Sequence, residues 1–323
     1  MKAIRIHEFG GPEVMQLEEV PKPLPAADEI LLKVYATSVN PADYIIRQGG
    51  NDLLRPLLKL PMGLGLDAAG IVEAIGADVK DFKPGNKVYG VPNFPGDGGY
   101  AEYLAAKATQ FAPMPHNITF NEAGALPSCA LIAWNAIVDL GHVQPGQRVL
   151  IHGAAGGVGN LAVQFAKAKG AYVIGTASAH NFDFLKELGA DEVIDYNTQH
   201  FEELLHDIDL VFNASPVRDQ SVRMKSAEVL KDGGIFVCSQ LDSPFPAALL
   251  QVLAAKNAIG TMVGGGSISY TSSLHGTTAL IEEGKVKAVV SKVYPLAEVA
   301  AAHRESEKKH VRGKLVLEVA KEN

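Results

Sequence analysis

Residues 148–160 read Arg-Val-Leu-Ile-His-Gly-Ala-Ala-Gly-Gly-Val-Gly-Asn. Three β-favouring residues, at 149–151, lead directly into a cluster of small residues. An amphipathic pattern over 161–168 then predicts a helix, and the apolar run 171–175 predicts the next strand. The stretch therefore predicts a strand, a tight glycine-rich turn, a helix and a second strand, which together form a βαβ unit.

In this context the glycine-rich turn indicates a dinucleotide site. Backbone N–H groups and the positive end of a helix dipole hold a pyrophosphate, and side chains in the turn would block it. Gly156 lets the backbone approach the phosphates, and Gly159 lets the helix pack against the strand. Because Ala154 replaces the first glycine of the usual G-x-G-x-x-G, the alternative is a turn that binds nothing, against which the βαβ context argues. The predicted contacts are Ala155, Gly156, Gly157, Val158 and Gly159.

Composition excludes several classes of protein. The chain has 323 residues, of which 47% are hydrophobic, and a formal net charge of −7. That charge argues against non-specific nucleic-acid binding, and no apolar stretch is long enough to cross a bilayer. The polar, alternating N-terminus is unlike a signal peptide. Two cysteines, Cys129 and Cys238, cannot form a disulfide framework or by themselves a structural zinc site, so we expect a cytoplasmic protein.

The pattern of predicted elements changes near residue 120. Before it, short strands are broken by proline and glycine, which predicts a β-rich domain. After it, strands alternate with helices over about 120 residues, which predicts a doubly wound parallel sheet. The tail ends in a predicted strand at 314–319 and is expected to return to the first domain. The prediction is an α/β protein with a Rossmann domain at 121–266 and a β-rich substrate domain formed by 1–120 and 267–323.

Motifs throughout the chain carry a family resemblance. They occupy 10–13 (Gly-Gly-Pro-Glu), 38–44 (Ser-Val-Asn-Pro-Ala-Asp-Tyr), 65–70 (Gly-Leu-Asp-Ala-Ala-Gly), 99–103 (Gly-Tyr-Ala-Glu-Tyr), 188–196 and 313–317 (Gly-Lys-Leu-Val-Leu). With the glycine turn, they resemble the medium-chain dehydrogenase/reductase superfamily, and within it the zinc-independent quinone oxidoreductase and enone reductase branch. The resemblance implies a GroES-like fold for the β-rich domain and a nicotinamide cofactor on the Rossmann domain.

The zinc alcohol dehydrogenases of this superfamily provide a contrast. Their catalytic metal is held by a cysteine, a histidine next to an acid, and a second cysteine. The matching places here hold Asn40, Leu66 beside Asp67, and Ser128. Leucine cannot ligate zinc, and amide and hydroxyl oxygens are poor ligands compared with thiolate or imidazole. We therefore predict that no zinc is bound.

Without a Lewis acid, reduction of an activated double bond or a quinone is easier than oxidation of a simple alcohol. Hydrogen-bond donors can stabilise the developing oxyanion. By resemblance the loop 40–44 lies beside the nicotinamide, so we predict Asn40 as a donor to the substrate or ribose, Tyr44 as proton donor and Asp43 as orienter. The alternatives are turn chemistry for Asn40 and core packing for Tyr44. Arg47 would reach either the substrate mouth or a loop carboxylate.

The end of the second Rossmann strand bears on cofactor choice. An acidic residue there would accept the ribose 2′-OH of NAD, but the expected position is Ala177. Ser178 and His180 could instead contact a 2′-phosphate, and by resemblance Tyr196 adds a contact. The prediction is NADP(H) over NAD(H), although relatives usually carry lysine or arginine where His180 stands. The alternative for Ser178 and His180 is an exposed loop.

Further cofactor contacts are predicted where later strands end, because the carboxyl ends of parallel strands face the ligand crevice. These residues are Asn213, Ser239, Gly264 and Lys314. The alternatives are a flexible connector for 264–266 and a surface ion pair for Lys314. The apolar strand at 258–263 would lie at the edge of the sheet, where an exposed strand invites pairing. Since relatives pair this strand across a two-fold axis, we expect a homodimer through it.

Together these features predict an NADPH-dependent, zinc-free enzyme that reduces quinones or α,β-unsaturated carbonyl compounds. One alternative is a related ketone or enoyl-thioester reductase. The alternative of a different class is a nucleotide-binding protein with little turnover that acts structurally or as a regulator.

Overall fold

The computed structural model describes residues 1–52, 54–264 and 268–322. It divides into two compact units. The first comprises Met1–Ser128, Tyr270–Glu283 and Lys287–Asn323, and the second comprises Cys129–Ser269 with Gly284–Val286. The first division therefore follows Ser128, whereas the sequence analysis set it after residue 120. The predicted boundary at 266/267 lies outside the described residues.

The first unit is β-rich. Its strands are β1 (Lys2–Ile6), β2 (Gln16–Glu19), β3 (Glu29–Val39), β4 (Met62–Gly63), β5 (Ala68–Ile75), β6 (Lys87–Gly90), β7 (Tyr103–Lys107) and β8 (Phe111–Pro113). Its first helices are α1 (Pro41–Arg47) and α2 (Phe120–Gly124), and α3 (Pro127–Trp134) spans the division and continues as a π-helical stretch, Asn135–Leu140.

The second unit alternates strands and helices. Its strands are β9 (Arg148–His152), β10 (Tyr172–Ala177), β11 (Glu192–Asp195), β12 (Ile208–Asn213), β13 (Leu230–Cys238) and β14 (Ile259–Met262). Its helices are α4 (Gly157–Ala168), α5 (Phe182–Glu187), α6 (Phe201–Leu204), α7 (Gln220–Glu228) and α8 (Ala247–Ala255). The chain then returns to the first unit through α9 (Tyr270–Glu282), β15 (Val290–Pro295), α10 (Val299–Ser306) and β16 (Lys314–Glu318).

The first unit has a three-stranded sheet, β2-β1-β4, and a seven-stranded sheet that brings distant parts of the chain together. Its strand order is β15-β16-β3-β5-β6-β8, and β7 also pairs with β3. β16 pairs with β3 in antiparallel register, with Leu315 opposite Val39. β3 is long and nearly continuously buried because neighbours cover both of its faces. The residues that directly follow β3, precede β5 and begin β16 are thus held in one place, where the candidate site lies.

The six strands of the second unit are parallel, in the order β11-β10-β9-β12-β13-β14. From β9 the chain adds β10 and β11 on one side of the sheet, and then β12, β13 and β14 on the other side. The end of β9 is therefore the switch point, where open α/β sheets bind ligands. Buried aliphatic and aromatic residues from the strands and from α7 and α8 form its core. The predicted α/β class, a doubly wound parallel sheet with a β-rich second domain, is confirmed. Over the described residues, no helix has the length and apolarity to span a membrane.

Candidate functional site

Helix α1 begins at a turn that fixes two of the predicted catalytic residues. Asn40 is the N-cap, Pro41 occupies the first helical position, and Asp43 completes a capping box. The Asn40 backbone N–H donates to Asp43 Oδ2 at 2.8 Å. Turn chemistry at Asn40 and a position in a polar cluster are therefore both true of this residue, because the backbone caps the helix while the side chain points elsewhere.

The Asn40 side chain lies in a buried polar cluster, which we call the Lys314 cluster and define as Asn40, Asp67, Ser128 and Lys314. Asn40 Nδ2 donates to Asp67 Oδ2 at 2.7 Å, and Ser128 Oγ donates to Asn40 Oδ1 at 3.0 Å. The Lys314 ammonium donates to Asn40 Oδ1 and to the Val39 carbonyl, and lies 3.6 Å from Asp67 Oδ2. Asn40 is 6% exposed and Lys314 5%. The cluster therefore pairs one buried cation with one buried carboxylate.

The charges of the cluster determine the orientation of the Asn40 amide. Lys314 can only donate and the Asp67 carboxylate can only accept, so the amide oxygen must face the ammonium and the amide nitrogen the carboxylate. The two hydrogen bonds to Oδ1 occupy its lone pairs. Nδ2 carries two N–H groups, of which one is directed at Asp67. The second N–H is a donor that the ammonium, through the amide, polarises.

Three of the cluster residues are those that the family resemblance matches to, or places beside, the metal ligands of zinc alcohol dehydrogenases. Asn40, Ser128 and the Leu66–Asp67 pair converge in space, and the Asp67 carboxylate also accepts from the Ser128 backbone N–H at 2.7 Å. Among the residues that the structure describes, no group of three or more His, Cys, Asp or Glu side chains could hold a metal ion. The positive charge of the cluster is supplied by Lys314.

Lys314 was predicted to contact the cofactor. In the structure its ammonium is bonded to Asn40 within the first unit. The alternative of a surface ion pair is wrong, since the side chain is only 6% exposed and its acidic neighbour Asp67 is fully buried. Direct contact of Lys314 with a nicotinamide dinucleotide stays a prediction.

Asp43 is fully buried, and its Oδ2 also accepts from the Tyr100 hydroxyl at 3.1 Å. That hydroxyl lies 3.1 Å from His303 Nε2, and His303 Nδ1 lies 2.9 Å from Arg47 Nη1. Burial, with a contribution from the neighbouring Asp67, raises the pKa of Asp43 to about 7, although the Asn40 backbone N–H and the Lys314 charge act in the opposite direction. Burial and the Arg47 charge lower the pKa of His303 to about 3, so this imidazole is neutral.

The structure decides the open question about Arg47. Its guanidinium is fully buried, forms an ion pair with Glu307 and donates to the Gly10 carbonyl at 3.0 Å. It therefore reaches a carboxylate beyond the end of α10. Tyr44, predicted to donate a proton, lies on α1 and is half-buried. The structure brings Asn40 and Asp43 together through the capping box, and the role of Tyr44 stays a prediction.

The glycine turn of the second unit has the backbone of an anion site. Gly156 is the N-cap of α4, a helix of 12 residues, and no side chain caps it. The N–H groups of the first turn, at 157–159, have no intrahelical acceptor and point out of the helix end. Asn160 Nδ2 braces the turn by donating to the carbonyls of Gly156 and Gly157 at 2.8 and 2.9 Å.

Three of the four glycines of this turn, Gly153, Gly156 and Gly159, have different physical roles. Gly153, one residue before Ala154, has a φ of +69°, so it provides the sharp turn. A Cβ on Gly159 would lie 2.1 Å from the Gly153 carbonyl oxygen, which means that this glycine permits the helix to approach the strand. A Cβ on Gly156 would meet only that same oxygen at 3.4 Å, so this position is open. An open glycine above free N–H groups fits a pyrophosphate.

Strands β10 and β11 bring the predicted ribose contacts to one edge. Ala177 pairs with Asp195 in the sheet, which places Ser178 and Tyr196 at adjacent strand ends. Ser178 Oγ lies 3.2 Å from His180 Nδ1, and Tyr196 is 58% exposed. Asp195 is a carboxylate at this edge that the spacing rule did not select, and its Oδ1 accepts from the Asn197 backbone N–H at 3.0 Å. This edge therefore presents two hydroxyl groups and one imidazole. The Asp195 carboxylate at the end of β11 accepts a hydrogen bond from the loop that follows it.

The strand ends further along are tied to each other. Asn213 Oδ1 accepts from the Ser215 N–H, and Ser239 Oγ donates to the Asn213 carbonyl, both at 3.1 Å. Gly264 follows β14 with a φ of +122°. The predicted connector over 264–266 extends outside the described residues at Gly265 and Gly266.

Sequence reasoning missed several buried polar residues. Tyr100 and His303 gave no local signal, because their partners are 57 to 256 residues away along the chain. From the sequence, Asp67 was considered only as the residue beside Leu66, which cannot ligate zinc. In the structure its carboxylate accepts a hydrogen bond from the Asn40 amide. Arg223 on α7 is fully buried and donates to Gln240 Oε1, and Gln240 in turn donates to the Val217 carbonyl at 2.7 Å. These bonds tie the loop after β13 to the loop after β12.

Comparison with protein families supports both units. The profile of the alcohol dehydrogenase GroES-like domain matches residues 26–116, and that of the family described as zinc-binding dehydrogenase matches residues 188–317. The first match confirms the GroES-like fold expected for the β-rich domain.

Individual relatives match over nearly the whole chain. The quinone oxidoreductase of Sus scrofa is 33% identical over 98% of this chain and 97% of its own length. The solved structure of the quinone oxidoreductase from Coxiella burnetii is 35% identical, with a TM-score of 0.88 over 99% of both chains. The Escherichia coli quinone oxidoreductase, solved in complex with NADPH, is 30% identical, with a TM-score of 0.84 over 99% of this chain and 100% of that chain.

Proposed function

The chain belongs to the medium-chain dehydrogenase/reductase superfamily, in its quinone oxidoreductase branch, and we propose that it reduces quinones or α,β-unsaturated carbonyl compounds with NADPH and without zinc. The observation that carries the proposal is the Lys314 cluster, in which a buried ammonium stands behind the Asn40 amide. The related E. coli protein is a quinone oxidoreductase and was solved in complex with NADPH.

The second unit supplies the residues that would hold the cofactor. The free N–H groups at the start of α4, above the open Gly156, fit its pyrophosphate. Ser178, His180 and Tyr196 at the ends of β10 and β11 would contact a 2′-phosphate. Asn213, Ser239 and Gly264 would line its path. When bound there, NADPH would supply a hydride to the electron-poor centre of the substrate.

Asn40 would stabilise the charge that develops on the substrate oxygen. Its second N–H is the available donor, and a preorganised donor in a buried site contributes strongly because it need not reorient during the reaction. Lys314 is a positioning residue in this scheme, because it acts through the amide. Asp67 holds the amide from the other side, so that the donor direction is fixed before the substrate arrives.

A consumption assay tests the proposal against its alternatives. NADPH oxidation is followed with benzoquinones, naphthoquinones, alkenals, ketones and enoyl thioesters, and repeated with NADH. We expect turnover with quinones or enones and a lower KM for NADPH than for NADH. Turnover restricted to ketones or enoyl thioesters would favour the related reductase. Stoichiometric NADPH binding without oxidation of any member of the panel would favour a regulatory or structural protein.

Cofactor preference is tested at Ser178. Replacing Ser178 with aspartate is expected to lower the ratio of kcat/KM for NADPH to that for NADH by about 10-fold to 100-fold, because a carboxylate would repel a 2′-phosphate and accept from a 2′-OH. Ser178→Ala is the matched control, since it removes the hydrogen bond without adding charge and should change the ratio only a few-fold. An unchanged ratio in Ser178→Asp would place the ribose elsewhere.

Two further expectations remain part of the proposal. β14 is the terminal strand of the sheet of the second unit, and Ile259 on it is 58% exposed, which supports pairing with a second copy through 258–263. Light scattering of wild type and of Thr261→Pro would test this homodimer, because proline removes a strand donor.

The cytoplasmic location stays a prediction.

A further inference from the structure

The Asp43 carboxyl is bonded on one side only. Oδ2 accepts two hydrogen bonds, from the Asn40 N–H and from the Tyr100 hydroxyl. Oδ1 is completely buried and has no hydrogen-bond partner. A buried carboxylate oxygen without a donor is costly, whereas a protonated oxygen becomes a donor that can face an acceptor. The asymmetry therefore singles out Oδ1 as the atom that carries a proton.

A small cavity adjoins this carboxyl. Its volume is about 10 Å³, and its lining includes Asp43, Leu66, Met62 and Phe94. A volume of this size accommodates about one water molecule. Leu66 directly precedes Asp67 of the Lys314 cluster in the chain. The cavity is therefore lined both by Asp43 and by a chain neighbour of the cluster.

The opposite side of Asp43 cannot deliver protons. Arg47 can only donate, so His303 Nδ1 must accept and Nε2 carries the hydrogen. Nε2 then donates to the Tyr100 oxygen, and the Tyr100 hydroxyl donates to Asp43 Oδ2. Each donor points toward Asp43, and the series begins at a guanidinium that does not release its proton. The array fixes Oδ2 as an acceptor and leaves Oδ1 as the exchangeable site.

We propose that Asp43 supplies the proton of the reduction, passing it from Oδ1 through one water molecule in the cavity to the substrate. This assignment replaces Tyr44 as proton donor and rests on the proposed function. Asp43 acts through water and does not touch the substrate.

The step balances as follows for a quinone. Hydride transfer to one quinone oxygen forms an O–H bond and adds two electrons to the ring, which leaves a hydroquinone monoanion. The O–H bond of the Asp43 carboxyl breaks as the water accepts its proton, while one O–H bond of that water breaks as a new O–H bond forms on the monoanion. Asp43 becomes a carboxylate, the water is regenerated, and solvent later returns one proton to Oδ1. NADPH, quinone and H⁺ thus give NADP⁺ and hydroquinone.

The charges around Asp43 suit this role. Burial raises its pKa to about 7, near the pH at which a general acid is most useful. Asp67 disfavours the second negative charge, while Lys314, the Asn40 N–H and the Tyr100 hydroxyl favour it. Arg47 lies behind His303 and is paired with Glu307. Protonated Asp43 leaves the ion pair of Lys314 and Asp67 neutral overall.

Asp43→Asn is the first test, because asparagine keeps an oxygen for the Asn40 and Tyr100 donors but has no acidic proton. At saturating NADPH and quinone, wild-type kcat is expected to fall above about pH 7. Asp43→Asn is expected to have a kcat about 10-fold lower at pH 6, with no dependence on pH from 6 to 9 and little change in KM. Asp81→Asn, the same substitution at an exposed carboxyl of the first unit, is the control and should retain the wild-type kcat and profile.

A second variant is expected to shift the pH profile of kcat instead of removing its pH dependence. Tyr100→Phe removes a donor that favours the charged carboxylate, so the descending limb of its kcat profile is expected to move to higher pH. Asp43 itself is followed without turnover by carboxyl ¹³C NMR, where a resonance absent from Asp43→Asn should titrate near pH 7. The same difference should appear in unfolding, because a raised native pKa gives wild type stability below about pH 4 that is lost as the pH rises through 7.

The outcomes separate the two proposals. Wild type without turnover of any quinone or enone would refute the proposed function and, with it, proton donation by Asp43. Turnover by wild type combined with an unchanged kcat and pH profile in Asp43→Asn would refute only the Asp43 assignment. An Asp43 resonance that titrates near pH 4 would refute it as well, as would a loss of activity in Tyr44→Phe equal to that in Asp43→Asn.

Discussion

Gly156→Val is expected to weaken NADPH binding by at least about 100-fold while leaving the fold intact. Gly156 has ordinary extended dihedrals, φ −73° and ψ 176°, which valine adopts without strain. Its Cβ would meet only the Gly153 oxygen at 3.4 Å, so the branched side chain projects into the space through which a phosphate reaches the N–H groups of α4. Fluorescence titration with NADPH and thermal unfolding measure the two effects.

Gly159→Val, three residues further on, is the contrasting control. Its Cβ would lie 2.1 Å from the Gly153 oxygen and 2.8 Å from Ala154 Cα, so this variant is expected to unfold at a much lower temperature or not to fold. Gly156→Ala should fall between wild type and Gly156→Val in affinity. If Gly156→Val binds NADPH as wild type does, the glycine turn is not the phosphate site and the interpretation of the second unit is wrong.

The second large effect is expected from Lys314→Met. Methionine fills much of the same volume but removes the buried cation, which leaves Asp67 as an uncompensated buried carboxylate and frees the Asn40 oxygen. We expect the free energy of unfolding at pH 7 to fall by about 3 kcal/mol. We also expect kcat with quinones to fall by about 100-fold, because the donor on Asn40 loses its polarisation and its fixed direction. Denaturant titration and steady-state kinetics measure the two changes.

The double variant Lys314→Met, Asp67→Asn separates stability from catalysis. Removing the second charge restores a neutral interior, so most of the lost stability should return. The activity should not return, because no cation stands behind Asn40. A double variant that recovers kcat together with stability would mean that Lys314 acts only by balancing Asp67. A single variant with unchanged stability and kcat would contradict the assigned cluster entirely.

The order of elements in the second unit was readable because its signals are local. The strand, turn and helix over 148–168 follow one another without interruption, and their hydrophobic periods differ. One detail could not be read from the spacing: Ala154 takes the first position of the motif, and the left-handed backbone of the turn belongs to Gly153. The motif located the turn, while its positive φ lies one residue before the motif.

The candidate site of the first unit was only partly predictable. The loop 40–44 identified Asn40 and Asp43 through the family resemblance, and the structure adds that both residues belong to the capping box of α1. The hydrogen bond of Asn40 to Lys314 joins residues 274 positions apart, and that of Arg47 to His303 joins residues 256 apart. No periodicity connects such pairs. They follow from the register of β16 against β3, which depends on the whole sheet.

The position of Lys314 also sets the order in which a newly made chain acquires its site. Asn40 and Asp67 leave the ribosome long before β16, the strand that carries Lys314 and fills the gap between β3 and β15. All strands of the second unit are synthesised in between. A nascent chain can therefore complete the nucleotide-binding sheet first, whereas its acidic pocket stays without a counter-ion until residue 314 arrives. Under the proposed function, in which Lys314 stands behind the Asn40 amide, this protein acquires its catalytic competence late in its synthesis.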